Sequence, residues 1–123
     1  MIMVGLGLGL GLGIGSGARP NVSKGPICDA ITAGVCISVV EKKHTLIIAP
    51  YVVYTGHQGA QQLDGVVVER DGKAPNKPKI DTFTVNDLSG VSVLTDRPFT
   101  PIAGFDPANP DYAGKTVCIV NLV

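Results

Sequence analysis

Tryptophan is missing from this 123-residue chain, and three tyrosines and three phenylalanines are its only aromatic residues. A sugar-binding platform of stacked rings has little to draw on. Charge is scarce as well: ten basic residues balance ten acidic ones, and charged residues make up 16% of the whole. No basic stripe is signalled, so nucleic acid is not expected as a partner. Cysteine is limited to Cys28, Cys36 and Cys118. An odd count argues against the disulfide framework of a small secreted domain. Cys36 and Cys118 each sit in a Val/Ile run and read as small buried hydrophobes, with a Cys28–Cys36 bridge as the lesser alternative. Thiols kept in that form imply synthesis in a reducing cytoplasm.

Motifs that carry chemistry are also lacking. Gly114-Lys115-Thr116 has the ending of a phosphate-binding loop, but Asn109 stands where the first glycine belongs, and a β-like run follows instead of a helix. Gly13-x-Gly15-x-x-Ala18 fits a relaxed dinucleotide fingerprint only because the tract is glycine-rich, and Arg-Pro-Asn follows it rather than a helix. Asp106, Asn109 and Asp111 could offer oxygens to calcium, yet Asp-Pro and Asn-Pro pairs are ordinary turn formers and the spacing is not that of an EF-hand. His44 and His57, the two histidines, lie in separate segments with no cysteine or carboxylate at metal spacing. No Gly-x-Ser-x-Gly elbow and no Cys/His pair offers a nucleophile. Lys73, Lys77 and Lys79 read as a solvated loop, with weak contact to an acidic partner as the functional alternative. The chain is expected to be no enzyme, with no cofactor and no bound metal.

What the sequence does have is a ribbon. From Gly5 to Gly17 every odd position is glycine, and Leu6, Leu8, Leu10, Leu12 and Ile14 fill the even positions between them. An apolar side chain at every second residue is the period of an extended strand, whose successive side chains point to opposite faces. The opposite face is the bare backbone of Gly7, Gly9, Gly11 and Gly13. Fully extended, the ribbon spans roughly 40 Å at about 3.3 Å per residue. Ordering each glycine costs on the order of 0.5–1 kcal/mol relative to alanine. Burying each Leu or Ile returns very roughly 1.5–3 kcal/mol, but only where another surface supplies pockets at strand spacing. Residues 1–20 are therefore expected to be a docking arm that adds as a strand to a neighbouring protein or subunit.

Three other readings of the arm compete. A signal peptide fits the apolar length, and Gly15-Ser16-Gly17-Ala18 loosely resembles a cleavage site, but the first basic residue, Arg19, follows the run instead of preceding it. A membrane helix would find eighteen uncharged residues and a Gly5/Gly9/Gly13 GxxxG pattern. Alternating glycine costs about 1 kcal/mol per residue in a helix, which argues against a membrane span. The arm could also be an ordinary strand of the chain's own sheet.

Residues 21–123 form one β-rich body with a modest core. Cys28–Ala33 is ambiguous and leaves room for one helical turn. Gly34–Glu41 reads as a strand, Lys42-Lys43 as a tight reversal and His44–Ala49 as its partner. Pro50 implies an edge, a bulge or a change of sheet before Tyr51–Tyr54 continues. Thr55–Gln62 reads as an exposed loop, Leu63–Arg70 as a strand and Asp71-Gly72 as a turn. Ile80–Val85 and Val91–Thr95 are further strands. Asp96–Gly114, with four prolines, reads as a long loop packed over the body. Thr116–Val123 reads as a last strand, apolar enough to be central. About six short strands predict an all-β fold, a small antiparallel β-sandwich or barrel behind an extended N-terminal β arm.

The opening GLGLGLGLGIGSGARP ahead of a small unrelated body resembles the start of many small bacteriophage virion proteins. The resemblance covers Met1 to about Pro20 and does not extend to the body. It implies a structural virion component: a capsid cement or decoration protein, or a small neck, tail or baseplate subunit made in the host cytoplasm. Its partners would be other virion proteins, and its copies a homo-oligomer following the particle's symmetry. The alternative from a different class is an exported cell-surface binding module with residues 1–18 as its signal or anchor.

Overall fold

The computed structural model describes residues 25–121, so the arm residues Leu6 to Ile14 lie outside the described part. Those residues form one short helix, α1 (Pro26–Ala33), and six strands: β1 (Val35–Glu41), β2 (His44–Thr55), β3 (Gln61–Arg70), β4 (Ile80–Thr84), β5 (Ser89–Pro98) and β6 (Thr116–Ile119). All the strand pairs are antiparallel, and the all-β class holds. The six strands expected to build a sandwich or barrel join one connected sheet, ordered β4-β3-β2-β1-β5, with β6 also paired to β2.

The twelve-residue β2 is the spine of that sheet. Its first half pairs with β1, as in Ile48 opposite Ile37, and its second half pairs with β6, as in Val53 opposite Cys118. β3 runs along the whole of its other edge. The change of partner falls at Pro50, which has no N–H to give to a ladder. Beside it the β3 register steps from Pro50/Gly65 to Val52/Asp64, so Tyr51 is an extra, bulged residue. The proline signal thus marks both a bulge and a change of neighbour within one sheet.

β2 is buried almost from end to end because both faces of the sheet are covered along it. Val53 shares a face with Cys118, its cross-strand partner, while Val52 and Tyr54 point to the opposite side with Asp64 and Thr82. On the Val53 side sits α1, tied down by a Cys28–Cys118 disulfide with a Cα–Cα distance of 5.8 Å. On the other side lies the 99–115 segment, whose Phe99 and Phe105 pack on Tyr51, and whose Tyr112 packs on Tyr54. The expected packing of that loop over the body is what the structure shows.

Local chemistry explains the ends of α1. Pro26 pre-sets the first helical residue, Asp29 stands in the first turn, and Gly34 takes a left-handed φ of 72° while its N–H reaches back to Ile31. Ile27, Cys28, Ala30 and Ile31 form the buried stripe. The Lys42-Lys43 reversal is a two-residue hairpin turn, with positive φ at both lysines (49° and 69°).

Three expectations need correction. Cys118 is not a buried thiol but half of a disulfide with Cys28, and the lesser Cys28–Cys36 alternative fails too. Only Cys36 is a free buried thiol among the described residues. The odd count is met by one bridge plus one core cysteine. The final strand is not central: β6 is four residues long, pairs among the described residues with β2 alone and leaves Ile119 exposed. The Thr55–Gln62 loop is shorter than expected, because His57–Gly59 is one 3-10 turn and β3 already begins at Gln61. No helix among the described residues is long and apolar enough to cross a membrane.

Candidate functional site

Asp64 is the one charged side chain buried among the described residues, at 7% exposure. β3 carries it to the face that the 99–115 segment covers. Three hydroxyls converge on its carboxyl group. Tyr54 and Thr82 donate to Oδ1 at 3.0 and 2.7 Å, and Tyr112 donates to Oδ2 at 2.6 Å. β2 supplies the first donor, β4 the second and the long loop the third.

The electrostatics follow from that geometry. Burial first, then the hydrogen bond to Asp64, raises the Tyr112 phenol far above its ordinary range. Burial and the nearby Asp64 charge raise Tyr54 in the same direction. Tyr51 is raised by burial as well, although its oxygen accepts the Ile102 N–H at 3.0 Å. All three phenols are therefore held protonated to higher pH than a free tyrosine, Tyr54 and Tyr112 as donors to Asp64 and Tyr51 as an acceptor. A buried carboxyl group that receives three hydroxyl donors has its acceptor sites satisfied and ties the donors' elements together. What it anchors is the loop: Tyr112 and the Ile102 N–H both fasten it to side chains of β2 and β3.

The other residues singled out in the sequence are dispersed. His44 pairs with Asp71 at 2.7 Å beside the β1–β2 turn, and that hydrogen bond, with one from the Thr45 N–H, lowers the Asp71 carboxyl. His57 opens the 3-10 turn on another part of the chain. Asp106 accepts the Ala108 N–H and Asn109 accepts the Asp111 N–H, both across two residues, which is turn chemistry. Lys73 and Lys77 lie in the exposed 73–79 loop, and Lys79 makes only an exposed 3.7 Å pair with Asp81. Gly114, with φ of 72°, closes a turn before β6, and no helix follows. No group of three metal-ligating side chains occurs among the described residues.

No protein-family model, curated protein or solved structure matches this chain.

Sequence reasoning missed the Asp64 cluster. In the run QQLDGVVVE an aspartate beside leucine reads as the solvent side of an alternating strand. Only the loop folding over that face turns it inward. Nothing in the sequence pattern singles out Arg97 either. From β5 it reaches over β1 and β2 to Glu69 on β3 at 2.9 Å, which raises its own pKa further. Strands lie about 4.8 Å apart, so three steps make roughly 14 Å, a gap that extended Arg and Glu side chains bridge together.

Proposed function

We propose that this protein is a structural virion component that docks on neighbouring virion proteins through residues 1–20. The observation that carries the reading is the ribbon of Leu6, Leu8, Leu10, Leu12 and Ile14 alternating with Gly7, Gly9, Gly11 and Gly13. Such a ribbon gains from burial only against pockets at strand spacing, and partner backbone can close on its glycine side. The body suits a load-bearing role. Cys28 follows the arm closely and is tied to β6, so tension on the arm is passed through the disulfide to the central strand. The reading covers capsid decoration and neck, tail or baseplate positions, with homo-oligomeric copies and no role for nucleic acid or membrane.

The test is incorporation. Leu8→Asp with Leu10→Asp should remove the protein from purified particles while the soluble chain keeps its unfolding midpoint. Undiminished incorporation of the double variant defeats the proposal.

A second reading has one observation in its favour. The Cys28–Cys118 disulfide suits an oxidising compartment, and that includes a cell surface as well as a released virion. An exported module would lose residues 1–18, so N-terminal sequencing of the native protein separates the two.

A further inference from the structure

An apolar groove opens between α1 and the turn that leads into β5. Pro26, Ile27, Val53, Val85, Leu88 and Val91 line it, and Gln61 is the polar residue at its wall. Its volume is about 190 Å³. Cavities of about 150 Å³ take one benzene molecule, whereas small-molecule sites run to roughly 300–1,000 Å³. The groove therefore fits one or two leucine-sized side chains and is too small for a cofactor. No charged residue lines it, so a partner approaching with charged side chains would lose their hydration for no return.

We infer that this groove holds Ile14 and Leu12 of the same molecule. Gly25 is itself part of the groove wall, so the preceding chain begins at its rim. Ten residues lie between Ile14 and Gly25, eleven Cα steps with a maximum reach of about 36–40 Å. A tether of that length keeps the side chains at a local concentration in the mM range, well above that of any second copy in dilute solution. Residues 1–18 have no charged side chain, as the groove has none, and glycine on either side of Leu12 and Ile14 lets the backbone lie close to the wall. The capacity of the groove sets a limit. Two side chains fill it, and Leu6, Leu8 and Leu10 are left for another surface. Seating the body-proximal end in this way shortens the exposed apolar ribbon before assembly, which lowers its tendency to self-associate. The inference does not depend on which partner takes the distal leucines.

Cross-linking in the full-length chain tests it. The Ile14→Cys/Val91→Cys variant places one thiol on the ribbon and one on a half-buried groove residue. The Ile14→Cys/Ser92→Cys variant is the control, because Ser92 is exposed on the other sheet face at nearly equal tether length. Under mild oxidation with glutathione disulfide, mapped by mass spectrometry, the 14–91 bridge should form about tenfold faster than the 14–92 bridge, within single chains. Equal rates at the two positions overturn the inference. So does a 14–91 bridge found mainly between isotopically labelled and unlabelled chains, which would assign the groove to a second copy. Because cross-linking is read on the isolated protein and incorporation on particles, failure of one leaves the other standing.

Discussion

The Tyr112 hydroxyl donates to Asp64 Oδ2 at 2.6 Å across 48 residues of chain, closing the long loop onto the sheet. Asp64 is also bonded by β2 and β4 through Tyr54 and Thr82, so one carboxyl group joins two strands and a loop. Sharing makes each bond depend on the others, since a buried polar group that loses a partner keeps its desolvation cost.

Tyr112→Phe keeps the ring against Tyr54 and Phe105 but deletes the donor. We expect a loss of roughly 1 kcal/mol in urea unfolding. Proteolysis within residues 99–115 should rise by more than that global change predicts. Unchanged loop protection in hydrogen exchange would show that the ring contacts alone hold the segment.

The three phenols give an alkaline signature. In each, the folded state raises the pKa above the ordinary value of 10.0. A raised group contributes stability that is fully present below its unfolded pKa and lost as pH climbs through the folded one. Stability should therefore hold at neutral pH and fall above pH 10. Phenolate absorbance at pH 10 should stay low in the folded protein and jump on adding denaturant. Half-ionised tyrosine in the native protein at that pH would contradict the buried donor network.

Reduction of Cys28–Cys118 releases a closure of 90 residues. By the chain-entropy account a closure of that length contributes about 4.6 kcal/mol, at the upper end of what disulfides deliver, so Cys28→Ser with Cys118→Ser should lower the unfolding midpoint accordingly. Cys36 should behave differently. Burial raises its thiol pKa, and it should react with a thiol reagent only at the rate of global unfolding. Rapid labelling of Cys36 in the native protein would place it nearer the surface than β1 allows.

Gly65 faces Pro50 where β2 bulges. A Cβ there would stand 2.5 Å from the Ala49 carbonyl oxygen and 3.0 Å from Ile48 Cγ2. Gly65→Ala must push backbone rather than a flexible side chain, and we expect a loss of about 1–3 kcal/mol. A neutral or stabilising effect in thermal unfolding would mean that β2 and β3 can separate there at no cost.

By itself the sequence determined the local features. Alternation placed most of the strands, Pro50 marked the break in β2, and Lys42-Lys43 and Asp71-Gly72 marked turns, because period and backbone propensity act over a few residues. It also determined the Gly-Leu ribbon on which the proposed function rests. Tertiary structure alone decided three things. Cys118 pairs with a residue 90 positions away, β6 lies at the side of β2, and Asp64 faces inward. Each depends on which distant segment covers a given face. A strand's alternation tells its two sides apart but carries no information about what will be laid on either of them.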